Sequence, residues 1–185
     1  MCDTGLSAGF VVAVVLNVLF CLTPCAVAQH NDNWKIYDEP SGAFRVEYPP
    51  QWHILQEGNG RLDILSFPKE QSAHGAVLIR HGAEIQVLSA PESIHSVREW
   101  MNQEVTGESN VIQEQVPAAV KANRTCTFTA VSYENEFGPN TWTTNKVYFG
   151  ECGRLLLRIR LTFFKPESNE RFLKVLDRMA ASLLP

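Results

Sequence analysis

Residues 125–164 read TCTFTAVSYENEFGPNTWTTNKVYFGECGRLLLRIRLTFF. Runs rich in Thr, Val, Phe, Tyr and Ile, separated by Gly, Asn and Pro, are the pattern of β-strands. The stretch predicts three antiparallel strands in a meander, with a polar loop near Gly138 and a tight turn at Cys152-Gly153. The third strand alternates. Leu155, Leu157, Ile159, Leu161 and Phe163 point one way; Arg154, Leu156, Arg158, Arg160 and Thr162 point the other. Period two predicts one buried face and one wetter face.

The pleat constrains the turn. A two-residue loop at Cys152-Gly153 sets Val147 opposite Arg158, which mismatches the faces. A three-residue loop with Gly153 as a left-handed bulge sets Val147 opposite Leu157 and Phe149 opposite Leu155, and is the expected register. It also sets Lys146 opposite Arg158 and Thr144 opposite Arg160. Like charges directly opposite are unfavourable, so this face needs an acidic neighbour, open water or a bound anion.

A chain of 185 residues is long enough for one domain with its own core. A net charge of −4 argues against nucleic-acid binding, which favours basic surfaces. Residues 6–28 are apolar and end in Ala26-Val27-Ala28. A small-x-small site after an apolar run predicts a signal peptide over residues 1–28, cut before Gln29. The leader is unusual in carrying Asp3 and no Lys or Arg. Two alternatives stay open: an uncleaved membrane anchor, and lipidation at Cys25, although Thr23-Pro24 departs from a lipobox. Outside residues 1–28 the cysteines are Cys126 and Cys152. An even pair in an exported chain predicts a disulfide, and two reduced thiols are the alternative. With the loop centred near Gly138, Cys126 falls opposite Gly150, two residues from Cys152.

In chain order, residues 29–35 read as a mobile leader and 36–185 as a single domain. Ile36–Pro40 and Phe44–Tyr48 read as strands around a turn at Pro40-Ser41-Gly42, ended by Pro49-Pro50, with Trp52 as a core plug. Gly58-Asn59-Gly60 reads as a turn, and Leu62–Phe67, Ala76–Ile79 and Ala83–Leu88 as strands. Ser89 and Glu92 resemble a capping box. The helix expected after it carries Ile94, Val97, Met101 and Val105 on one face, widened by Trp100. Val111–Val116 reads as a strand that bends near Pro117. A last helix, opened by Pro166 and Glu167, aligns Phe172, Val175, Leu176, Met179 and Leu183, with Arg171, Lys174, Asp177 and Arg178 facing away. The sum is an α+β layer fold, an antiparallel β-sheet covered by two amphipathic helices.

The opening YDEPSGAFRVEYPPQW, residues 37–52, resembles the start of PsbP-like and Mog1-like domains, through Gly42, Phe44, Tyr48, Pro49 and Trp52. The order of elements over roughly residues 34–184 is similar too. The resemblance implies an α/β/α sandwich and a binding or assembly role, without catalysis and without a cofactor. It implies an unknown protein partner in the bacterial envelope, with the membrane involved only if residues 1–28 are kept or lipidated. Nothing matches the basic N-terminal extension of the plant photosystem protein, so oxygen-evolution work is not implied. The matching residues are architectural and assign no site.

Three sets of residues are candidates for chemistry. His74 and His81, with Glu84, carry metal-ligand types but match no ligand motif. Along one extended strand the two histidines lie roughly 23 Å apart, so only a hairpin brings them together. Lys146, Arg158 and Arg160 could hold an anion or an acidic partner, unless Glu47 or Glu134 neutralises them. Cys126 and Cys152 are the disulfide candidates. No G-x-S-x-G, H-E-x-x-H, C-x-x-C or phosphate-cradling Gly-rich loop occurs. Asn123-Arg124-Thr125 fits a glycosylation acceptor, which in a bacterial chain reads as a chance match. The favoured reading is an exported binding module. The alternative is a metal- or ligand-binding protein, or an enzyme, using a cleft beside the sheet.

Overall fold

The computed structural model describes residues 33–68, 82–107, 111–120, 125–138, 141–164 and 170–185; for 105–107, 111–120, 137, 138 and 141 it describes the backbone alone. Nine strands are described: β1 (Lys35–Asp38), β2 (Arg45–Tyr48), β3 (His53–Gly58), β4 (Arg61–Leu65), β5 (Ala83–Ser89), β6 (Val111–Val120), β7 (Cys126–Gly138), β8 (Thr141–Cys152) and β9 (Leu155–Phe164). The helices are α1 (Val97–Gly107), between β5 and β6, and α2 (Glu170–Ser182), after β9. Seven strands form one antiparallel sheet in the order β3-β4-β5-β9-β8-β7-β6. The meander is therefore real, and its third strand sits mid-sheet.

The sheet is dry on both faces. Leu157, Ile159, Leu161 and Phe163 join a core completed by Phe172, Leu176 and Met179 of α2. On the opposite face, Val147 and Phe149 of β8 pack with Val131, Tyr133, Ile94 and Trp100, the last from α1. Ring pairs fasten both layers: Phe163 to Phe172 at 6.2 Å and Phe149 to Trp100 at 5.7 Å. Tyr148 adds a polar tie, donating its hydroxyl to Asp177 of α2 at 2.6 Å. The inner face expected for α2 holds, with Phe172, Leu176, Met179 and Leu183 buried.

Two-sided burial corrects the expected register. The β8–β9 turn is the two residues Gly153-Arg154, flanked by the pair Cys152 and Leu155. Gly153 has φ +65°, which suits the first central position of a tight hairpin turn. Val147 therefore faces Arg160, Phe149 faces Arg158, and Lys146 faces Leu161. Matching apolar to apolar assumed a wet face. With no wet face, the arginine stems lie beside Val147 and Phe149 under α1. The register between β7 and β8 also shifts: Cys126 stands directly opposite Cys152, with Cα atoms 4.2 Å apart, and the two form a disulfide.

Other boundaries differ from expectation. β3 was not anticipated; it pairs with β4 through the expected turn, where Gly58, Asn59 and Gly60 all have positive φ. A Cβ at Gly60 would collide with the Ser89 hydroxyl, so the close approach of this turn to β5 requires glycine. The cap of α1 is Ser96, seven residues after the expected Ser89. Ser96 Oγ accepts from the Glu99 amide at 3.2 Å, and the Glu99 carboxylate accepts from the His95 amide at 3.0 Å. Ser89 ends β5 instead and donates its hydroxyl to the Gly60 carbonyl. β6 runs through Pro117 with a register shift between Glu114 and Ala118, at the edge of the described sheet, where proline is tolerated. The strand expected at 76–79, the helix start at Pro166 and Glu167, the glycosylation acceptor and the leader over 1–28 lie at least partly outside the described residues.

β1 and β2 do not join the main sheet but form a two-stranded sheet of their own beside α2. Arg45 exchanges main-chain hydrogen bonds with Leu184, just past α2, and the Glu47 amide donates to Ser182 Oγ. Trp34, placed from sequence in the mobile leader, packs on the α2-side core under Arg178, whose guanidinium lies 4.1 Å from its ring. Glu39 latches the hairpin to the main sheet: its carboxylate accepts from the Ser41 amide and hydroxyl, the Ala43 amide and, across the gap, the Gly60 amide at 2.8 Å. Burial raises the Glu39 pKa, but these hydrogen bonds outweigh it and hold the group below its ordinary value.

Two outcomes follow for unfolding in urea. Replacing both cysteines, Cys126→Ala with Cys152→Ala, should cost about 2–4 kcal/mol, and wild type in reductant should approach the same midpoint. Glu39→Gln should cost about 1–3 kcal/mol at neutral pH. A depressed folded-state pKa stabilises above the unfolded value and loses that contribution as pH falls through the folded value. The gap between wild type and Glu39→Gln should therefore close below the ordinary carboxylate range.

Candidate functional site

β9 carries Arg158 and Arg160 two residues apart, so both project to the α1 side. Glu104 of α1 meets them there. Its Oε2 accepts from Arg158 Nη1, and its Oε1 accepts from Arg160 Nη1 at 3.2 Å and from the Tyr133 hydroxyl at 2.8 Å. Gln86 Oε1 on β5 accepts from Arg158 Nη2 and, at 3.5 Å, from Arg160 Nη2. The Trp100 ring lies 5.7 Å from the Arg158 guanidinium. Arg158 is only 7% exposed. Its burial pulls the pKa down, against the pull of Glu104 upward. Burial acts the same way on Arg160, but Tyr133 and Glu104 outweigh it and raise the pKa. Burial, then Glu104, push the Tyr133 hydroxyl well up, so it stays a neutral donor.

This arrangement corrects the basic face read from the sequence. Arg158 and Arg160 share the carboxylate of Glu104 inside the fold, while Lys146, register partner of Leu161, is on the α2 side. Neither expected acid is the counter-charge. Glu47 pairs with Arg178 at 3.6 Å, and Glu134, partner of Thr144, is on the α2 side. Glu104 was missed, although a signal existed: it follows Trp100 by four positions and so shares the inward face of α1.

Beside this cluster lies a second pair of charges. Arg61 binds Asp63 at 2.5 Å, and the buried Asp63 keeps Oδ1 without a partner among the described residues. Glu84 is on the same side by register, and its pKa is raised by burial and by Asp63, against Arg160 and Arg61. His74 and His81 lie outside the described residues, and among the described residues no group of His, Cys, Asp and Glu could hold a metal ion.

A cleft of ≈ 540 Å³ opens elsewhere, between the β8–β9 turn and the β5–α1 connection. Ala90, Ile94 and Leu156 give it an apolar floor, and Leu155 stands on its edge. Glu92, Glu151 and Arg154 rim it, exposed and paired with no described residue. The cleft is open to solvent, and its volume lies within the range of small-molecule pockets.

The fold is shared with solved structures. Yeast Mog1p, a Ran-binding protein of Saccharomyces cerevisiae, superposes with TM-score 0.51 at 13% identity, over 82% of this chain and 94% of that one. This chain shares its fold with Mog1p. The cyanobacterial PsbP of Synechocystis, CyanoP, gives TM-score 0.50 at 10% identity, over 82% and 92%. A protein from Bacteroides thetaiotaomicron gives 0.52 at 15% over 80% of this chain, and this chain spans 47% of that one. No protein-family model matches the chain, and no curated protein does. The likeness is one of fold; the contacts of Glu104 and the cleft are read from this chain's own residues.

The cluster makes a sharp energetic prediction. Glu104→Ala strands a buried guanidinium and should cost about 3–5 kcal/mol in urea unfolding. Removing all three charges with apolar replacements, Glu104→Leu with Arg158→Met and Arg160→Met, should restore part of that loss. Lys146→Ala should stay within about 0.5 kcal/mol of wild type.

Proposed function

We propose that the chain is an exported, non-catalytic binding or assembly module of the bacterial envelope, and that the cleft at the β8–β9 turn is its contact surface. One observation carries this reading. The charges under α1 are turned inward on one another, with Glu104 bound to Arg158, Arg160 and Tyr133, whereas the cleft keeps an apolar floor and unpaired rim charges. The first arrangement holds a scaffold together; the second is available to a partner. The buried Cys126–Cys152 disulfide supports an oxidising compartment, as does the apolar run ending in Ala26-Val27-Ala28. One protein with this fold is named for binding Ran, so the scaffold serves protein recognition in that case; the partner of this chain is a different question, because fold does not carry function.

Crosslinking of the full chain in its native envelope fraction tests the reading. Leu155 is exposed, so Leu155→Glu should fold normally yet lose a specific crosslinked partner about tenfold. Lys174→Glu, on the outer side of α2, should keep it. Equal capture by both variants would remove the cleft as the contact surface.

A further inference from the structure

The two cores close unequally. On the α1 side, Leu88, Ala90, Val97, Met101 and Leu156 are only partly buried, and Leu155, 36% exposed, lines the cleft from the turn. The cleft opens at this unfinished edge, so its floor is continuous with the core. The rim adds a sign. Glu92 comes from the β5–α1 connection and Glu151 from the end of β8, so carboxylates stand on both walls. Neither is paired with a described residue, and the chain as a whole carries −4. Arg154, at the tip of the turn, has free donors for a main-chain carbonyl.

We infer that this cleft takes a short segment of a partner protein in which a bulky apolar side chain is flanked by basic residues. The apolar side chain completes the α1-side core against Ile94 and Leu156. The flanking cations meet Glu92 and Glu151, where opposite charges steer encounter and set specificity more than they add raw affinity. This rests on the binding-module reading above and adds the chemistry of the partner.

Titration of isotope-labelled full chain with two probes, acetyl-Lys-Leu-Phe-Lys-amide and acetyl-Glu-Leu-Phe-Glu-amide, decides it. Amide shifts should concentrate at residues 89–95 and 151–156, and the basic peptide should bind about tenfold more tightly at low salt. Glu92→Lys with Glu151→Lys changes two exposed, unpaired side chains and should invert the preference. Equal binding of the two peptides, shifts centred elsewhere, or no shift at millimolar peptide would each overturn the inference. If the crosslinked partner still depends on Leu155 while the peptides fail, the partner chemistry is wrong and the binding reading stands. If partner capture ignores Leu155, the cleft reading falls first.

Discussion

The structure depends on one constraint: β9 is dry on both sides. Its odd-numbered residues from Leu157 to Phe163 belong to the core under α2, and its even-numbered arginines lie under α1. A buried guanidinium without a partner is among the costliest groups a fold can hold. Glu104 is therefore required of α1, and Gln86 and Tyr133 are drawn in to complete the contacts. The orientation of α1, the pairing of β8 with β9 and the identity of a residue on β5 all answer to that demand.

The same network specifies register more than it adds stability. Buried ion pairs often contribute little net free energy, because desolvation offsets attraction. A slip by one residue, however, would drive Arg158 and Arg160 into the apolar layer with Phe172 and Leu176 and strand Glu104 opposite leucines. The disulfide acts in the same sense at the far end of the meander, where Cys126 and Cys152 meet on one rung. The pairing of β8 with β7 is thus pinned by a covalent bond, while the charges fix which face β9 turns toward α1.

The two layers differ in finish. The α2 side holds the larger apolar core and carries the small β1–β2 sheet, which is strapped down by Leu184, Ser182 and the Glu39 latch. The α1 side has a smaller core, mixes charge with aromatics and ends at an open cleft. Similar folds at 10–15% identity keep the layered plan with few shared residues, as expected when pattern and burial set architecture.

Much of the plan was legible locally. Period-two runs announced the meander, 3.6-residue spacing announced both helices, and Gly58-Asn59-Gly60 announced a turn, because these signals are written in neighbouring residues. The residues of the cleft were not singled out, since its walls come from segments some sixty positions apart in the chain. Nor did the alternation of Leu and Arg along β9 say whether the arginines met water or a helix. Only the packing of α1 across the sheet decided that, because burial belongs to the assembled layers, and with it went the register, the partner of each charge and the direct opposition of the two cysteines.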